Sequence, residues 1–178
     1  MTNLAEKKEA PAVPSVWIGC LAAYNSGRLH GEWVEIPTDP EELREEIKRV
    51  LDKSPEPMAD EWAFMDYEYV PDEFGENPDL DKLCDYVSLT QEYSVNAVGA
   101  FIHCFSLNDL DNFSDAYIGC YDSFNEFANE QADIYLDDNY QGHDFIKQYF
   151  DYESYARDLS YDYSSEYVGG CEYVFSNY

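Results

Sequence analysis

The sequence predicts an α+β protein made of three small domains in series. Alternating apolar residues near both ends of the chain favour antiparallel strand pairs, and apolar stripes at helical spacing favour helices between them. Hydrophobic residues make up 45% and aromatic residues 17% of the 178 residues, which excludes a disordered acidic tail. The expected parts are a flexible extension (1–14), an α+β domain (15–73), a helical middle domain (74–108) and a second α+β domain (109–178).

The first α+β domain is predicted to contain strand, strand, helix and strand in that order. "SVWIGCLA" is rich in β-forming residues, "YNSGR" offers a turn and "GEWVEI" alternates, which together indicate a hairpin. "PTDPEELREEIKRVLDK" predicts a helix that begins at Pro40 and is capped by Thr38 or Asp39. "EWAFMDYEYVP" (61–71) is expected to form the third strand.

The middle domain is expected to be a pair of helices with many acids near its start. One helix is capped by Asn77 and opened by Pro78, and the second runs through 95–105. The exposed acids of this section are Asp72, Glu73, Glu76, Asp79, Asp81 and Asp85. We consider them candidate partner-binding residues.

The last domain returns to a mixed pattern. "DAYIGCY" predicts a strand, and two short helical pieces follow at about 143–149 and 151–159. Gly169-Gly170 lies between two alternating runs, which predicts a two-residue hairpin turn. A long helix, described next, connects the strand to these pieces.

The segment "DSFNEFANEQADIYLDD" (122–138), capped by Asp122 or Ser123, combines a helical pattern with a row of acids. At 100° per residue the acids occupy one arc about 80° wide, with an apolar set roughly opposite. The acids are Asp122, Glu126, Glu130, Asp133 and Asp137, and the apolar set is Phe124, Phe127, Ala128, Ile134 and Tyr135. No Lys or Arg lies among them, so carboxylates about 6 Å apart repel each other by about 0.7 kcal/mol even in water. For one helix alone, a solvated face with poor charge balance is the simpler explanation.

The negative charge is large and unevenly distributed along the chain. Residues 1–53 hold seven basic and ten acidic residues, a net charge of −3, whereas residues 54–178 hold three and 28, a net charge of −25. Such charge exceeds what solubility requires and opposes compaction, so we expect it to serve a basic partner. A halophilic source is the other explanation, although the retained large apolar groups argue against it.

Motifs for metal or cofactor chemistry are missing from the sequence. The three histidines are far apart, and no zinc, P-loop or nucleophilic-serine pattern occurs. "DDNYQG" (137–142) fits positions 1, 3 and 6 of an EF-hand loop, but Gln148 stands at position 12, where a Glu is needed. No metal and no cofactor are therefore expected.

An enzyme and a nucleic-acid-binding protein are both disfavoured. A catalytic acid needs a partly dry pocket that shifts its pKa, whereas most of these acids follow polar faces. Phosphate contact needs a basic surface, and residues 54–178 contain only three basic side chains. The 17 tyrosines are better explained by packing between core and solvent than by base stacking.

The expected compartment is the cytoplasm. Five cysteines, widely spaced in apolar segments, predict buried free thiols rather than disulfides. "MTNLAEKKEAPAVP" lacks the apolar core of a signal peptide, and no run of 18 apolar residues occurs, so we expect no membrane contact.

A triplet recurs along the chain. Ile18-Gly19-Cys20 and Ile118-Gly119-Cys120 lie 100 residues apart, and each is followed by an aromatic residue and Asn. An internal duplication and two similar buried strands both explain this, and the sequence leaves them open.

The charge density suggests what the partner is. Duplex DNA carries one charge per about 1.7 Å, so 28 charges match about 48 Å, or about 14 base pairs, and a compact chain of this length is about 40 Å across. Domains strung in a row would place the acids along a rod that enters a basic groove built for DNA, and a two-fold dimer would double it. The alternative is an acidic module that binds another basic DNA-binding protein.

Two regions resemble a known family. "VWIGCLAAYNSGRLHGEWVEIP" (16–37) resembles the opening of ArdA-type antirestriction proteins, through Tyr24-Asn25, Gly27 and Gly31-x-Trp33. "YDSFNEFANEQAD" and "FDYESYARDLSYDY" (150–163) resemble their C-terminal region. The likeness spans about residues 16–176 and is weak in the middle.

The resemblance implies an elongated, curved protein of three domains that dimerises through its last domain and mimics bent DNA. Such inhibitors are non-catalytic, occupy the DNA-binding site of type I restriction-modification enzymes, including the methyltransferase core, and are usually carried by mobile elements. The family's short antirestriction motif, which is associated with the dimer contact, would fall near Asp137 to Asp151.

Overall fold

The computed structural model describes residues 12–140 and 144–178, which form two compact units, 12–102 and 103–178. The two helices expected in a separate middle domain group with the first sheet, up to Ile102. The α+β class is confirmed, while a division into three domains stays a prediction. The expected extension (1–14) falls almost wholly outside the described residues.

The first unit contains a three-stranded antiparallel sheet in the order β2-β1-β3. Its strands are β1 (Ser15–Cys20), β2 (Gly31–Glu35) and β3 (Trp62–Glu68), and its helices are α1 (Leu21–Asn25), α2 (Pro40–Asp52), α3 (Leu80–Glu92) and α4 (Val95–Cys104), whose last turn lies across the boundary between the units. The predicted hairpin is confirmed, with the short α1 inserted in its connection. Asp39 is the α2 cap, since its side chain accepts a hydrogen bond from the Glu41 amide.

Packing of α2 on the sheet follows the apolar stripe that the sequence shows. Leu43, Ile47 and Val50 are buried on α2, and Val16 and Ile18 are buried on β1. Because strand side chains alternate, the neighbouring Trp17 lies on the other face, where its ring meets that of Trp33 edge to face.

The start of α3 differs from expectation. The cap is Asp79 rather than Asn77, because the Asp79 carboxylate accepts a hydrogen bond from the Asp81 amide at 3.0 Å. Pro78 therefore precedes the helix instead of opening it. Among described residues the second predicted helix agrees closely with α4.

The second unit contains a sheet in the order β4-β6-β5, all antiparallel. Its strands are β4 (Tyr117–Tyr121), β5 (Tyr163–Val168) and β6 (Cys171–Ser176), and its helices are α5 (Phe113–Ala116), α6 (Phe124–Asn139) and α7 (Tyr152–Leu159). The predicted strand starts later than expected because α5 takes its first residues. The terminal hairpin is confirmed, with Gly169 and Gly170 both at positive φ, as a tight turn requires. The first of the two short helical pieces is a 3₁₀ helix, Asp144–Tyr149, and residue 143 lies outside the described part.

The recurring triplets occupy different places in the two sheets. Residues 18–20 lie in the central strand β1, whereas residues 118–120 lie in the edge strand β4. This difference favours two similar strands over a duplication.

One expectation about the cysteines is wrong. Cys120 of β4 and Cys171 of β6 form a disulfide across neighbouring strands, with their Cα atoms 5.8 Å apart. The residues are 51 positions apart in sequence, and only the β4–β6 register brings them together. Cys20, Cys84 and Cys104 are free thiols, and burial raises the pKa of Cys84 and of Cys104 to about 11.

The cores of both units are apolar. In the part of the chain that the structure describes, no charged or polar residue falls in the buried class, and half of the twelve largest fully buried side chains are aromatic. Within the same residues, every helix is too short or too polar to cross a lipid bilayer.

Gly31→Ala should lower the free energy of unfolding by about 1–3 kcal/mol. An added Cβ would lie 2.5 Å from the Ile18 carbonyl oxygen, and only backbone movement can relieve that contact. Urea denaturation followed by circular dichroism measures the change. The control is Gly99→Ala inside α4, where the nearest atom is 3.9 Å away, and there stability should rise by about 0.5–1 kcal/mol. Equal losses in both variants would contradict this account.

The double variant Cys120→Ser/Cys171→Ser should be less stable by about 2–4 kcal/mol, because the disulfide restricts the unfolded chain over a 51-residue separation. Urea denaturation of the full chain, followed by tyrosine fluorescence, measures this loss of stability. A strong thiol reductant should lower the stability of the wild-type protein by the same amount and leave the double variant unchanged. An unfolding curve of the wild-type protein that does not respond to the reductant would count against the disulfide.

Candidate partner-binding surface

The eleven candidate acids lie in two groups, one in each unit. The first group spans the segment between β3 and α3 and the start of α3, and the second lies on α6 and the residue before Ser123. Ten of the eleven are exposed and Asp133 is half-buried. We call these groups the α3 row (Asp72, Glu73, Glu76, Asp79, Asp81 and Asp85) and the α6 row (Asp122, Glu126, Glu130, Asp133 and Asp137).

An aromatic anchor holds the first half of the α3 row at the surface. Phe74, in the 3₁₀ helix Asp72–Phe74, is buried, and its ring lies 5.5 Å from that of Tyr86 on α3. Two further bonds fix the segment, from the Phe64 amide to the Glu76 carbonyl at 2.9 Å and from the Tyr67 hydroxyl to the Gly75 carbonyl at 2.6 Å. Since Phe74 points inward, the acids on either side of it are exposed.

Local partners hold Asp79 and Asp81 of the α3 row. Asp79 caps α3, as described above, and Asp81 contacts the Arg44 guanidinium at 3.3 Å. Asp72 and Glu76 form no ion pair within residues 12–140 and 144–178. The row is therefore partly structural and partly unpaired.

The α6 row begins with a reciprocal cap. The Ser123 hydroxyl accepts a hydrogen bond from the Glu126 amide at 3.2 Å, and the Glu126 carboxylate accepts one from the Asp122 amide at 2.7 Å. Ser123 is thus the cap, and Glu126 satisfies a backbone donor that precedes the helix. The spacing Ser-x-x-Glu in the sequence is typical of such a cap. Glu126 therefore has a structural role in addition to its surface charge.

A lysine from outside the helix partly neutralises the far end of the α6 row. Lys147, in the 3₁₀ helix Asp144–Tyr149, lies 2.9 Å from Asp137 and 3.4 Å from Asp133. The hydrogen bond to Asp137 raises the pKa of Lys147. The Tyr152 hydroxyl also donates to Asp133 at 2.7 Å, which raises the pKa of Tyr152. No pattern in the sequence predicts this cluster, because Lys147 lies outside α6 and contacts it from a separate element.

The apolar face of α6 is narrower than the helical wheel suggests. Phe127, Ala128, Ala132 and Leu136 are buried, but Ile134 and Tyr135 are about half exposed. These two residues, which the helical wheel groups with the apolar set, therefore lie at the surface.

Charge is shared equally between the two units. Residues 12–102 hold six basic and 20 acidic residues, and residues 103–178 hold two and 16, so each range has a net charge of −14. A boundary at residue 53 falls inside the first unit, so the nearly neutral segment 1–53 is not a structural unit by itself.

Most cations of the first unit are bound by acids outside the α3 row. The pairs are Arg28–Glu56, Arg44–Glu41, Lys48–Asp52, Arg49–Glu32, Arg49–Glu46 and Lys53–Glu32. Hydrogen bonds from Lys53 and then Arg49 lower the pKa of Glu32 to about 2. The positive side chains are thus compensated near α2, and negative charge remains elsewhere on the unit.

The described acids offer no arrangement typical of acid–base catalysis. None is buried, and the two carboxyl groups with resolved shifts, Glu32 and Asp151, have lowered pKa values. The cause at Asp151 is hydrogen bonding from the Ser154 amide and hydroxyl. Within the described residues, no group of His, Cys, Asp and Glu is placed to hold a metal ion.

The fold and its exposed carboxylates define a class, an acidic α+β protein whose surface chemistry suits a basic partner. A protein-family model described as antirestriction protein (ArdA) matches residues 16–173. The chain therefore belongs to the ArdA family of antirestriction proteins, and the family assignment made from the sequence is confirmed. No curated protein matches the chain.

Family membership implies an antirestriction function, exerted on restriction-modification enzymes. Antirestriction proteins of this family are inhibitors rather than enzymes.

Asp133→Asn should lower the pKa of Tyr152, because the carboxylate that accepts its hydrogen bond and disfavours the phenolate is removed. Titration of ¹³C-labelled tyrosine by NMR measures this. The control is Tyr155 in the same protein, whose raised pKa is caused mainly by burial and should not move. An unchanged Tyr152 titration would show that the contact is absent in solution.

Proposed function

We propose that this protein is a DNA mimic that occupies the DNA-binding groove of type I restriction-modification enzymes through many surface carboxylates. The observation that carries the proposal is the exposure of its acids, ten of eleven in the two rows, on units that each have a net charge of −14. Fourteen charges correspond to about 24 Å of duplex, or about seven base pairs, at one charge per 1.7 Å.

The proposed inhibition is non-catalytic. Lys and Arg side chains that would contact phosphates pair instead with carboxylates, and no bond is made or broken. Each exposed pair is worth about 0.2–1 kcal/mol, so affinity comes from number rather than from any one contact. Binding should be steered by long-range attraction and weakened by salt.

The ion pairs and caps of the described residues support a distinction among the acids proposed for this role. Asp122, Glu130, Asp72 and Glu76 are exposed and form no ion pair within the described ranges, so their charges are available to a partner. Asp133 and Asp137 share Lys147, and Glu126 and Asp79 also cap helices. These four acids therefore contribute to folding as well as to the proposed surface.

We also propose that two copies associate through the last domain. Support comes from exposed apolar side chains on and after α6, in the same segment where the resemblance locates the antirestriction motif. They are Ile134, Tyr135, Tyr140, Phe145 and Tyr149, the last 84% exposed. Exposed apolar groups clustered on one segment are typical of an interface.

The proposal is tested by displacing a labelled duplex from a type I methyltransferase core at two salt concentrations. Asp122→Asn alone should cost about threefold or less in inhibition, and the triple variant Asp122→Asn/Glu130→Gln/Asp137→Asn about tenfold or more, with a shallower salt dependence. Glu126 is kept because it caps α6.

The matched control removes three exposed acids outside both rows, Asp60→Asn/Glu61→Gln/Glu92→Gln, and should cost less than the α6 triple variant. Equal effects of the two triple variants would show that only net charge matters. Steep salt dependence of binding to other basic proteins without displacement of the duplex would favour the alternative, an acidic module for another DNA-binding protein.

A further inference from the structure

A groove runs along the free edge of the first sheet. It has a cavity volume of about 570 Å³ and lies between β2 and α2. Trp33, Val34 and Glu35 line it from the strand, and Glu42, Glu45 and Glu46 line it from the helix. Glu45 and Glu46 follow Glu42 by three and four residues, so the three side chains lie on one side of α2.

The strand side of the groove presents unpaired backbone groups. β2 is an edge strand, and bonds from the Cys20 amide to the His30 carbonyl and from the Ile36 amide to the Pro14 carbonyl fix which residues face β1. Because antiparallel pairs alternate, the even-numbered residues of β2 bond to β1. The amides and carbonyls of Gly31, Trp33 and Glu35 therefore point outward, where an added strand would bond.

The side chains around this edge are anionic and aromatic. Glu35, Glu42 and Glu45 form no ion pair or side-chain hydrogen bond in the described part of the chain. Arg49, which also lines the groove, is held at 2.5 Å by Glu32 and 2.6 Å by Glu46, so its charge is already compensated. Trp33 is 43% exposed, and its ring meets that of Trp17 on the sheet face opposite α2.

We propose that this groove binds an extended, cationic segment of a partner protein as a fourth strand beside β2. Main-chain hydrogen bonds to Gly31, Trp33 and Glu35 would set the register of the added strand. Lys or Arg side chains at every second position of that strand would contact the glutamates of α2. Charge complementarity selects this occupant over an acidic or apolar strand. The contact uses neither acidic row, so it stands independently of the proposed DNA mimicry.

The test uses the full chain and a seven-residue synthetic peptide of alternating lysine and threonine with blocked ends. Hydrogen exchange at the amides of Gly31, Trp33 and Glu35 should slow in its presence. The control peptide has the same charge but is N-methylated at every second backbone amide, so it cannot form the strand bonds. Equal binding of the two peptides, or unchanged exchange at these three amides, would overturn the proposal.

A pair of charge-matched variants separates the groove from the general surface charge. Glu42→Gln/Glu45→Gln should weaken peptide binding about tenfold, whereas Asp60→Asn/Glu61→Gln should weaken it about threefold or less. Fluorescence anisotropy of a labelled peptide measures both, and circular dichroism checks that each variant is folded. Equal weakening by the two variants would mean that the peptide binds diffusely, which contradicts a defined groove.

Discussion

Burial of aromatic and aliphatic side chains holds each unit together against the repulsion of its own surface. Neighbouring carboxylates one helical turn apart repel by about 0.7 kcal/mol in water, whereas a fully buried aromatic or branched aliphatic side chain contributes about 1.5–3 kcal/mol. Phe64, Phe101, Phe113, Phe127 and Phe175 are fully buried, and none of the described charged side chains shares the core with them. The apolar interior therefore allows an unusual density of like charge outside.

The same carboxylates serve two purposes, and this limits how freely the surface can vary. Asp39, Asp79 and Asp151 each accept a hydrogen bond from an amide at the start of a helix, where the helix dipole also favours negative charge. Glu126 does the same before α6. Negative charge thus stabilises the local structure at these sites, in contrast to the mid-helix acid Glu130.

Local patterns in the sequence were sufficient to predict the helices and strands. They were insufficient to predict the contacts between these elements. The stripe on α2, the alternation of β5 and β6 and the Gly169-Gly170 turn are short-range signals, and each predicted its element. The Cys120–Cys171 disulfide, the Lys147 contacts and the exposure of Ile134 depend on how separate segments pack, which spacing within one segment does not encode. For the candidate surface, the identity of the exposed acids was predictable, but their caps and ion pairs were not.

Lys147 is one of only two basic residues in the range 103–178. It reaches Asp133 and Asp137 near the end of α6, where the helix dipole is itself negative, so one amine compensates two side chains and part of a backbone field. Acetylation of that amine would remove the compensation in a single covalent step and leave three carboxylates, Asp133, Asp137 and Asp138, in the last two turns of the helix. The net negative charge of this unit would therefore change through modification of one atom, the Nζ of Lys147.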